Sequence, residues 1–96
     1  MPGVTARRSR PAAAATATYR RLLTLHAQVL PEDHVDLAKD RLNLALSRLR
    51  EGDPSEAEQL AQAATTQLTS ADDPVALRSA LLVRGNVHLE RDRLEL

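Results

Sequence analysis

The sequence contains no cysteine, no phenylalanine and no tryptophan, and Tyr19 is its single aromatic residue. The lack of cysteine excludes disulfide bonds and thiolate chemistry, and it fits a reducing compartment. The chain has 96 residues, and its apolar residues are nearly all alanine, leucine and valine. Short aliphatic side chains bury little area each, so they suit helices packed closely in a thin stack better than a thick globule.

An excess of one charge and long apolar runs are also missing. The chain has 13 basic and 13 acidic residues, so bulk electrostatics favour neither nucleic acid nor an anionic membrane. No apolar run approaches the roughly 20 residues that cross a bilayer. The alanine-rich stretch after the first arginines lacks the leucine and valine typical of an export signal. We therefore expect a cytoplasmic protein that binds neither nucleic acid nor membranes.

Short groups of turn-forming residues divide the chain into four segments. In "REGDPSEAE", Gly52 can end a helix in the left-handed conformation and Asp53 can cap the next one, while Pro54 and Glu56 suit its first turn. Asp72-Asp73-Pro74 repeats this signal, Pro31-Glu32-Asp33 opens a helix after Leu30, and Ser9-Arg10-Pro11 is a weaker version of the signal. The predicted helices span residues 11–30, 33–51, 54–69 and 74–91. Residues 1–10, which include the basic run ARRSR, are predicted to be a disordered tail.

Each segment carries an apolar stripe at the spacing of a helix face. The stripes are Ala15, Thr18, Leu22, Leu25 and Val29; Val35, Ala38, Leu42, Ala45 and Leu49; Ala57, Leu60 or Ala61, Ala64 and Leu68; and Leu77, Leu81 or Leu82, Gly85 and Leu89. The second and fourth segments also have apolar residues off the stripe, namely Leu37, Leu44, Leu46, Val83 and Val87. This pattern predicts an all-α fold in which those two helices pack on two sides and short connections make neighbours antiparallel.

The second half of the chain repeats the first half. A shift of 40 residues aligns Val35 with Val75, Leu37 with Leu77, Leu42 with Leu82, Ala45 with Gly85 and Leu49 with Leu89. A shift of about 42 residues aligns the first and third segments, pairing Ala15 with Ala57 and Leu22 with Ala64. The chain therefore consists of helices of two alternating kinds, as expected of a helical-hairpin repeat.

Residues 29–64 resemble a tetratricopeptide repeat of the longer kind found in kinesin light chains and many bacterial proteins. The matching features are Asp33-His34 followed by Asp36, Asn43-Leu44-Ala45, Gly52, and Glu56-Ala57-Glu58. The resemblance implies antiparallel hairpins stacked as an α-solenoid over residues 11–96. It places small residues where helices pack closely, namely Ala45, Ala57, Ala64 and Gly85. Arg41 and Arg48 depart from the family, which puts large apolar or aromatic side chains there. A closed four-helix bundle is the alternative fold.

The resemblance also implies a function. In tetratricopeptide arrays the first helix of each hairpin lines a concave groove, and an asparagine at the position of Asn43 commonly holds the backbone of a bound peptide. The implied partner-binding residues are Lys39, Asn43, Leu46, Arg50, Leu82 and Asn86. The first four share one helix face by their spacing. The prediction is a protein–protein interaction module or scaffold that binds a peptide or partner protein. The alternative is a structural spacer or sensor segment of a larger bacterial regulator or kinase, without a ligand of its own.

No residue pattern indicates catalysis, a cofactor or a metal site. No serine lies in a nucleophile elbow, and the three glycines, Gly3, Gly52 and Gly85, stand alone. His26 and His34 flank the Pro31 turn, but they lack the close spacing of metal ligands, and His34 suits the start of a helix. We therefore expect no enzyme and no cofactor.

The first and last helices lack a stacking neighbour in the predicted array. Solenoid repeats need polar ends to stay soluble, and this chain has apolar residues there instead. Exposed apolar surface is predicted at Leu22, Leu25, Leu81 and Val87, together with self-association through these uncapped helices.

Overall fold

Four α-helices follow one another in a computed structural model of the chain, which describes the backbone of residues 2–95 and the side chains of residues 10–93. They are α1 (Pro2–Val29), α2 (Val35–Arg50), α3 (Pro54–Ser70) and α4 (Pro74–Glu95). The described backbone contains no strand. The predicted all-α class with four helices is confirmed.

Helix α1 begins at Pro2 rather than at residue 11. Residues 2–10 were predicted as a disordered tail, and the structure differs in giving them helical backbone that continues through Pro11. The alanines that follow Pro11 are the strongest helix formers, and the helix continues through Pro11 although a proline removes one backbone hydrogen bond and crowds the preceding turn. Met1 and the side chains up to Ser9 lie outside the described residues.

The helix ends at the three connections between helices follow the turn residues closely. Gly52 has a φ of 91°, the left-handed conformation that glycine adopts without steric cost. The backbone N–H of Glu56 donates to Asp53 Oδ1 at 3.1 Å, and Asp73 accepts in the same way from Ala76 at 3.0 Å. Helix α2 starts two residues later than predicted because its cap is His34, whose Nδ1 accepts from the Asp36 N–H at 3.1 Å.

The helices pack in chain order. Helix α2 packs against α1 and α3, α3 packs against α2 and α4, and a smaller contact joins α2 to α4. Within the described residues α1 does not pack against α4, so the four helices do not close into the ring that the alternative bundle requires. The molecule measures 44 × 28 × 18 Å, the shape of a thin layer.

Alanines build most of the core between α2, α3 and α4. Ala45, Ala57 and Ala64 are fully buried, which confirms the prediction of close helix packing at these positions. Larger residues fill the remaining space, namely Leu42, Leu68, Val83 and Val87. The same prediction for Gly85 is wrong, because this residue is exposed and a Cβ built there meets no atom within 4 Å.

Helix α2 is packed on two sides, as predicted. Ala38, Leu42 and Ala45 belong to the core shared with α3 and α4. Leu37 and Leu44 are also buried but lie on the opposite side of the helix. They share that side with Asp40, which contacts α1.

In α1 the buried face is not the stripe read from the sequence. Ala12 and Thr16 are buried and Tyr19, Leu23 and His26 are half-buried, so these residues form the inner face toward α2. The exposed fractions of Leu22, Leu25 and Val29 are 36%, 50% and 77%. The apolar periodicity of α1 is present in the structure, but among the described residues α1 packs only against α2 and cannot bury both of its apolar faces.

Helix α4, like α1, buries one apolar face and leaves another apolar face exposed. Ala76, Ala80, Val83 and Val87 are buried against α3, whereas Val75, Leu82 and Leu89 are 71%, 66% and 69% exposed. The predicted exposure is confirmed for Leu22, Leu25 and Leu81 and is wrong for Val87. Val87 lies on the opposite side of the helix from Leu89, since residues two positions apart in a helix differ by about 200° around its axis.

Candidate partner-binding groove

An open groove runs between α2 and α4, beside the turn that joins α2 to α3. Its volume is about 740 Å³, and its lining residues are Leu46, Leu49, Arg50, Gly52, Pro54, Asn86, Leu89, Glu90 and Arg93. Leucines of both helices supply apolar surface, while arginines, a carboxylate and an amide supply polar groups. An apolar surface with a few polar groups is the usual composition of a binding site.

The groove is formed by equivalent residues of two equivalent helices. Three pairs of lining residues are 40 positions apart, namely Leu46 and Asn86, Leu49 and Leu89, and Arg50 and Glu90. Because this is the shift that aligns α2 with α4, the same helix face is presented twice. A groove made in this way follows from the internal repeat.

The predicted partner-binding residues are divided by the structure. Leu46, Arg50 and Asn86 line the groove. Lys39 and Asn43 are exposed and share the α2 face of Leu46, but they lie nearer the start of the helix and outside the groove lining. Leu82 is exposed on the outward face of α4.

Sequence reasoning missed several lining residues. Leu49 and Leu89 were already aligned by the repeat, but both were assigned to the core stripes. Arg93 lay beyond the predicted end of the last helix at residue 91, whereas α4 continues to Glu95. The repeat alignment could therefore have identified Leu49 and Leu89 as groove residues. Arg93 could not be identified because the predicted helix ended before it.

The groove offers hydrogen-bond donors on two arginines. Arg50 is exposed and forms no ion pair among residues 10–93. Arg93 lies 3.5 Å from Glu90, between Nη1 and Oε1, and its side chain is 73% exposed. A guanidinium can bind a carboxylate through two parallel hydrogen bonds, and an amide can bind both groups of a peptide unit.

An ionic cluster fixes the turn beside the groove. The Arg48 Nε donates to Glu56 Oε2 at 2.8 Å, its Nη2 donates to Asp53 Oδ2 at 2.5 Å, and its Nη1 donates to Glu51. Arg20 of α1 donates to the other oxygen of Glu56 at 2.5 Å. Two guanidinium groups and three carboxylates thus join α1, α2, the turn and α3.

This cluster shows what Arg48 contacts, at a position where the resemblance to tetratricopeptide repeats leads one to expect a large apolar side chain. Arg48 is partly buried in an ion network instead. The predicted capping box is only half formed. The Glu56 carboxylate binds the two arginines, and the Asp53 N–H donates instead to the Arg48 carbonyl oxygen at 2.9 Å.

The cluster shifts two pKa values. Partial burial acts to lower the pKa of Arg48, but hydrogen bonds to Glu56 and Asp53 outweigh it, so the pKa lies above its ordinary value. The pKa of Asp53 is lowered, first by the hydrogen bond from the Glu56 backbone N–H and then by Arg48, against an opposing effect of burial. Both groups are therefore held in their charged forms.

Arg41, the other residue at which the sequence differs from the family it resembles, joins α2 to α3. Its Nη1 donates to Gln67 Oε1 at 2.5 Å, and the Gln67 Nε2 donates to the His34 carbonyl oxygen at 2.8 Å. A side-chain bridge therefore replaces apolar packing here as well.

Both histidines of the first turn have structural roles. His34 caps α2, as predicted, and His26 Nδ1 lies 2.5 Å from Oδ2 of the buried Asp40. Within the described part of the chain, no three His, Cys, Asp or Glu side chains are grouped as metal ligands. Over the same part, none of the helices is both long and apolar enough to cross a membrane.

Comparison of the chain with protein-family models, with curated proteins and with solved structures gives no match. The resemblance to tetratricopeptide repeats therefore depends on the residues and the internal repeat described above.

Proposed function

We propose that this chain is a protein–protein interaction module that binds an extended peptide segment of a partner protein in the groove between α2 and α4. The observation that supports the proposal is the groove itself. Its leucines come from both helices, and beside them lie Arg50, without an ion-pair partner among residues 10–93, and the exposed amide of Asn86.

Each group has a distinct role in this proposal. Leu46, Leu49 and Leu89 receive an apolar side chain of the peptide, which gives up its contact with water. Asn86 pairs with a backbone peptide unit, and Arg50 pairs with a carboxylate of the peptide. Lys39 and Asn43 extend the same α2 face toward the start of the helix, where they bind a longer peptide.

The architecture that belongs to this proposal is a stack of helical hairpins. Helices α2 and α4 act as the first helices of two successive repeats, and α1 and α3 act as second helices. The contact of α2 with α4 and the lack of packing between α1 and α4 within the described residues support this arrangement.

The test begins with a peptide selected by display against the full chain, with counter-selection against the groove variant Arg50→Ala/Asn86→Ala. Calorimetry then compares the affinity of that peptide for the wild-type chain and for the variant. A neutral hydrogen bond contributes about 0.5–1.5 kcal/mol and a charge-assisted one about 1.5–3 kcal/mol. The variant should therefore bind roughly ten- to a thousandfold more weakly.

The matched control is Arg21→Ala/Gln62→Ala, which removes an arginine and a polar residue from exposed positions outside the groove. It should bind the peptide like the wild type, and circular dichroism should show the same helix content for all three proteins. If the chain yields no peptide that distinguishes it from the groove variant, the groove is not a binding site. The structural spacer would then be the better description.

A further inference from the structure

The outward faces of α1 and α4 carry the largest exposed apolar side chains of the described residues. On α4 they form a stripe of Val75, Leu82 and Leu89, in which successive members are seven residues apart. On α1 they form a second stripe of Leu22, Leu25 and Val29. Apolar stripes of this kind on two separate helices indicate interaction surfaces.

The internal repeat shows what the α4 stripe is suited to contact. Shifting Val75, Leu82, Gly85 and Leu89 back by 40 residues gives Val35, Leu42, Ala45 and Leu49. Those four residues lie in or against the core that α2 shares with α3. The exposed stripe of α4 is therefore the counterpart of the α2 face that receives a helix of the α3 kind.

The α1 stripe is the counterpart of the α3 face that packs against α2. Shifting Ala15, Thr18, Leu22 and Leu25 forward by 42 residues gives Ala57, Leu60, Ala64 and Gln67. In α3 this is the side toward α2, because Gln67 bonds Arg41 and the neighbouring Glu56 bonds Arg48. Helix α1 thus presents an unoccupied α3-like face, and α4 presents an unoccupied α2-like face.

One pair of residues supports this match in particular. Arg41 and Gln67 hydrogen-bond across the α2–α3 contact at 2.5 Å. Their counterparts in α4 and α1 are Leu81 and Leu25, which are 52% and 50% exposed. A polar pair inside the molecule is therefore replaced by two leucines, which become an apolar pair if the two faces meet.

The sizes of the side chains are also complementary. Where α3 has Ala64, α1 has the larger Leu22, and where α2 has Ala45, α4 has the smaller Gly85. Gly85 has no neighbour within 4 Å of a Cβ position, so nothing within the described fold requires a glycine there. A closely approaching helix carrying larger side chains does require it.

Arg78 is the counterpart of the buried Ala38 under the shift of 40 residues, and a charged side chain at this position also suits a contact between α4 and α1 of another molecule. An antiparallel contact brings the start of α4 to the end of α1 of the other molecule. A cation is favourable beside the carbonyl groups at a helix C-terminus, and the aliphatic part of the arginine covers apolar surface.

We infer that the chain associates head to tail with a second copy of itself, the α4 stripe of one molecule packing on the α1 stripe of the next. The contact repeats the α2–α3 contact between molecules. Because the α1 and α4 stripes differ, an assembly of any length still has one uncovered α1 stripe at one end and one uncovered α4 stripe at the other. The assembly therefore grows as an open chain. The α4 stripe shares Leu89 with the peptide groove, whereas the α1 stripe lies outside the groove, and the association is tested below without any peptide.

Sedimentation of the full chain tests the inference. A single helix–helix contact is smaller than a standard protein interface, so the measurement covers concentrations from about 10 μM to about 1 mM. The weight-average mass of the wild type should rise steadily across this range. Leu25→Glu and Leu81→Glu each place a charge in one of the two faces, and each variant alone should remain a monomer. Gln62→Glu adds the same charge at an exposed site of α3 and should associate like the wild type.

An equimolar mixture of Leu25→Glu and Leu81→Glu gives the decisive result. Leu25→Glu retains an intact α4 face and Leu81→Glu retains an intact α1 face, so the mixture should form dimers that grow no further. Circular dichroism should show unchanged helix content in each variant. A monomeric wild type, a single variant that still dimerises alone, or a mixture that remains monomeric would each overturn the inference. Dimerisation of one variant alone would indicate contact between like faces.

Discussion

Arg48 is the residue on which the junction between α2 and α3 depends. Replacing it by methionine keeps the aliphatic stem but leaves Glu51, Asp53 and Glu56 close together without their shared cation. The ion pairs are only partly buried, so we expect a loss of about 1–3 kcal/mol in the free energy of unfolding, between the values for surface and buried pairs. Arg48→Lys should recover only part of this loss, since one ammonium group cannot bond three carboxylates in the planar geometry of a guanidinium.

Urea unfolding monitored by circular dichroism measures both changes. Arg21→Met is the matched control, since Arg21 is exposed, and it should alter stability by less than about 0.5 kcal/mol. An Arg48→Met protein as stable as the control would mean that the cluster contributes nothing to the fold.

Asp53 makes the stability of the chain dependent on acid. Its pKa in the folded chain is lowered from the ordinary value of 3.8, so the unfolded chain binds the proton more readily. The stabilising contribution is therefore fully present above the unfolded pKa and is lost as the pH falls through the folded pKa. Unfolding measured from about pH 5 down to about pH 2 should show falling stability. Asp53→Asn retains a good helix cap but has no charge to lose. Its curve should fall less steeply, and an equally steep curve would contradict the assignment.

At the scale of helices, two small residues should respond in opposite ways to enlargement. Ala57 is fully buried between helices, so Ala57→Leu should cost about 1–3 kcal/mol of stability by overpacking. Gly85 has open space around its Cβ position, so Gly85→Ala should stabilise the monomer by about 0.5–1 kcal/mol, because alanine loses less backbone entropy in a helix. Thermal unfolding of dilute samples measures both. A destabilising Gly85→Ala would mean that the glycine is needed inside the molecule.

The sequence predicted the helices well because their ends are determined locally. Gly52, Asp53 and Pro54 act within one turn of chain, and the structure places each in its expected role. The sequence also predicted correctly which faces of α2 and α3 are buried, because each of these helices has neighbours on two sides. The buried faces of α1 and α4 were predicted wrongly. Apolar periodicity identifies an apolar face of a helix but does not say whether a neighbouring helix covers it.

The candidate groove was predicted only in part for a related reason. The positions of Leu46, Arg50 and Asn86 were implied by the resemblance to tetratricopeptide repeats, and the spacing of the α2 residues along one helix face agreed with it. The ends of the groove depend on how far α4 extends and on where it approaches α2. These are properties of tertiary packing that no local pattern specifies. The Arg48 cluster was missed because its members come from three helices and a turn.

For the whole molecule, the open arrangement of the helices predicts a gradient of local stability. Helices α2 and α3 are each packed on two sides, whereas α1 and α4 each leave an apolar face uncovered by any other described part of the chain. Native-state hydrogen exchange at low protein concentration should therefore be slowest in the middle of α2 and α3 and faster in α1 and α4. Equal protection in all four helices would indicate a single cooperative unit instead.

Tyr19 offers a way to follow one helix by spectroscopy. It is the only aromatic residue of the chain, and it is half-buried on the inner face of α1. Its fluorescence therefore reports the docking of α1 on α2, while far-ultraviolet circular dichroism reports all four helices. If α1 separates before the rest of the molecule unfolds, the two signals will give different transition curves in urea. The scarcity of aromatic residues thus gives the native protein a probe of a single interface, without any label.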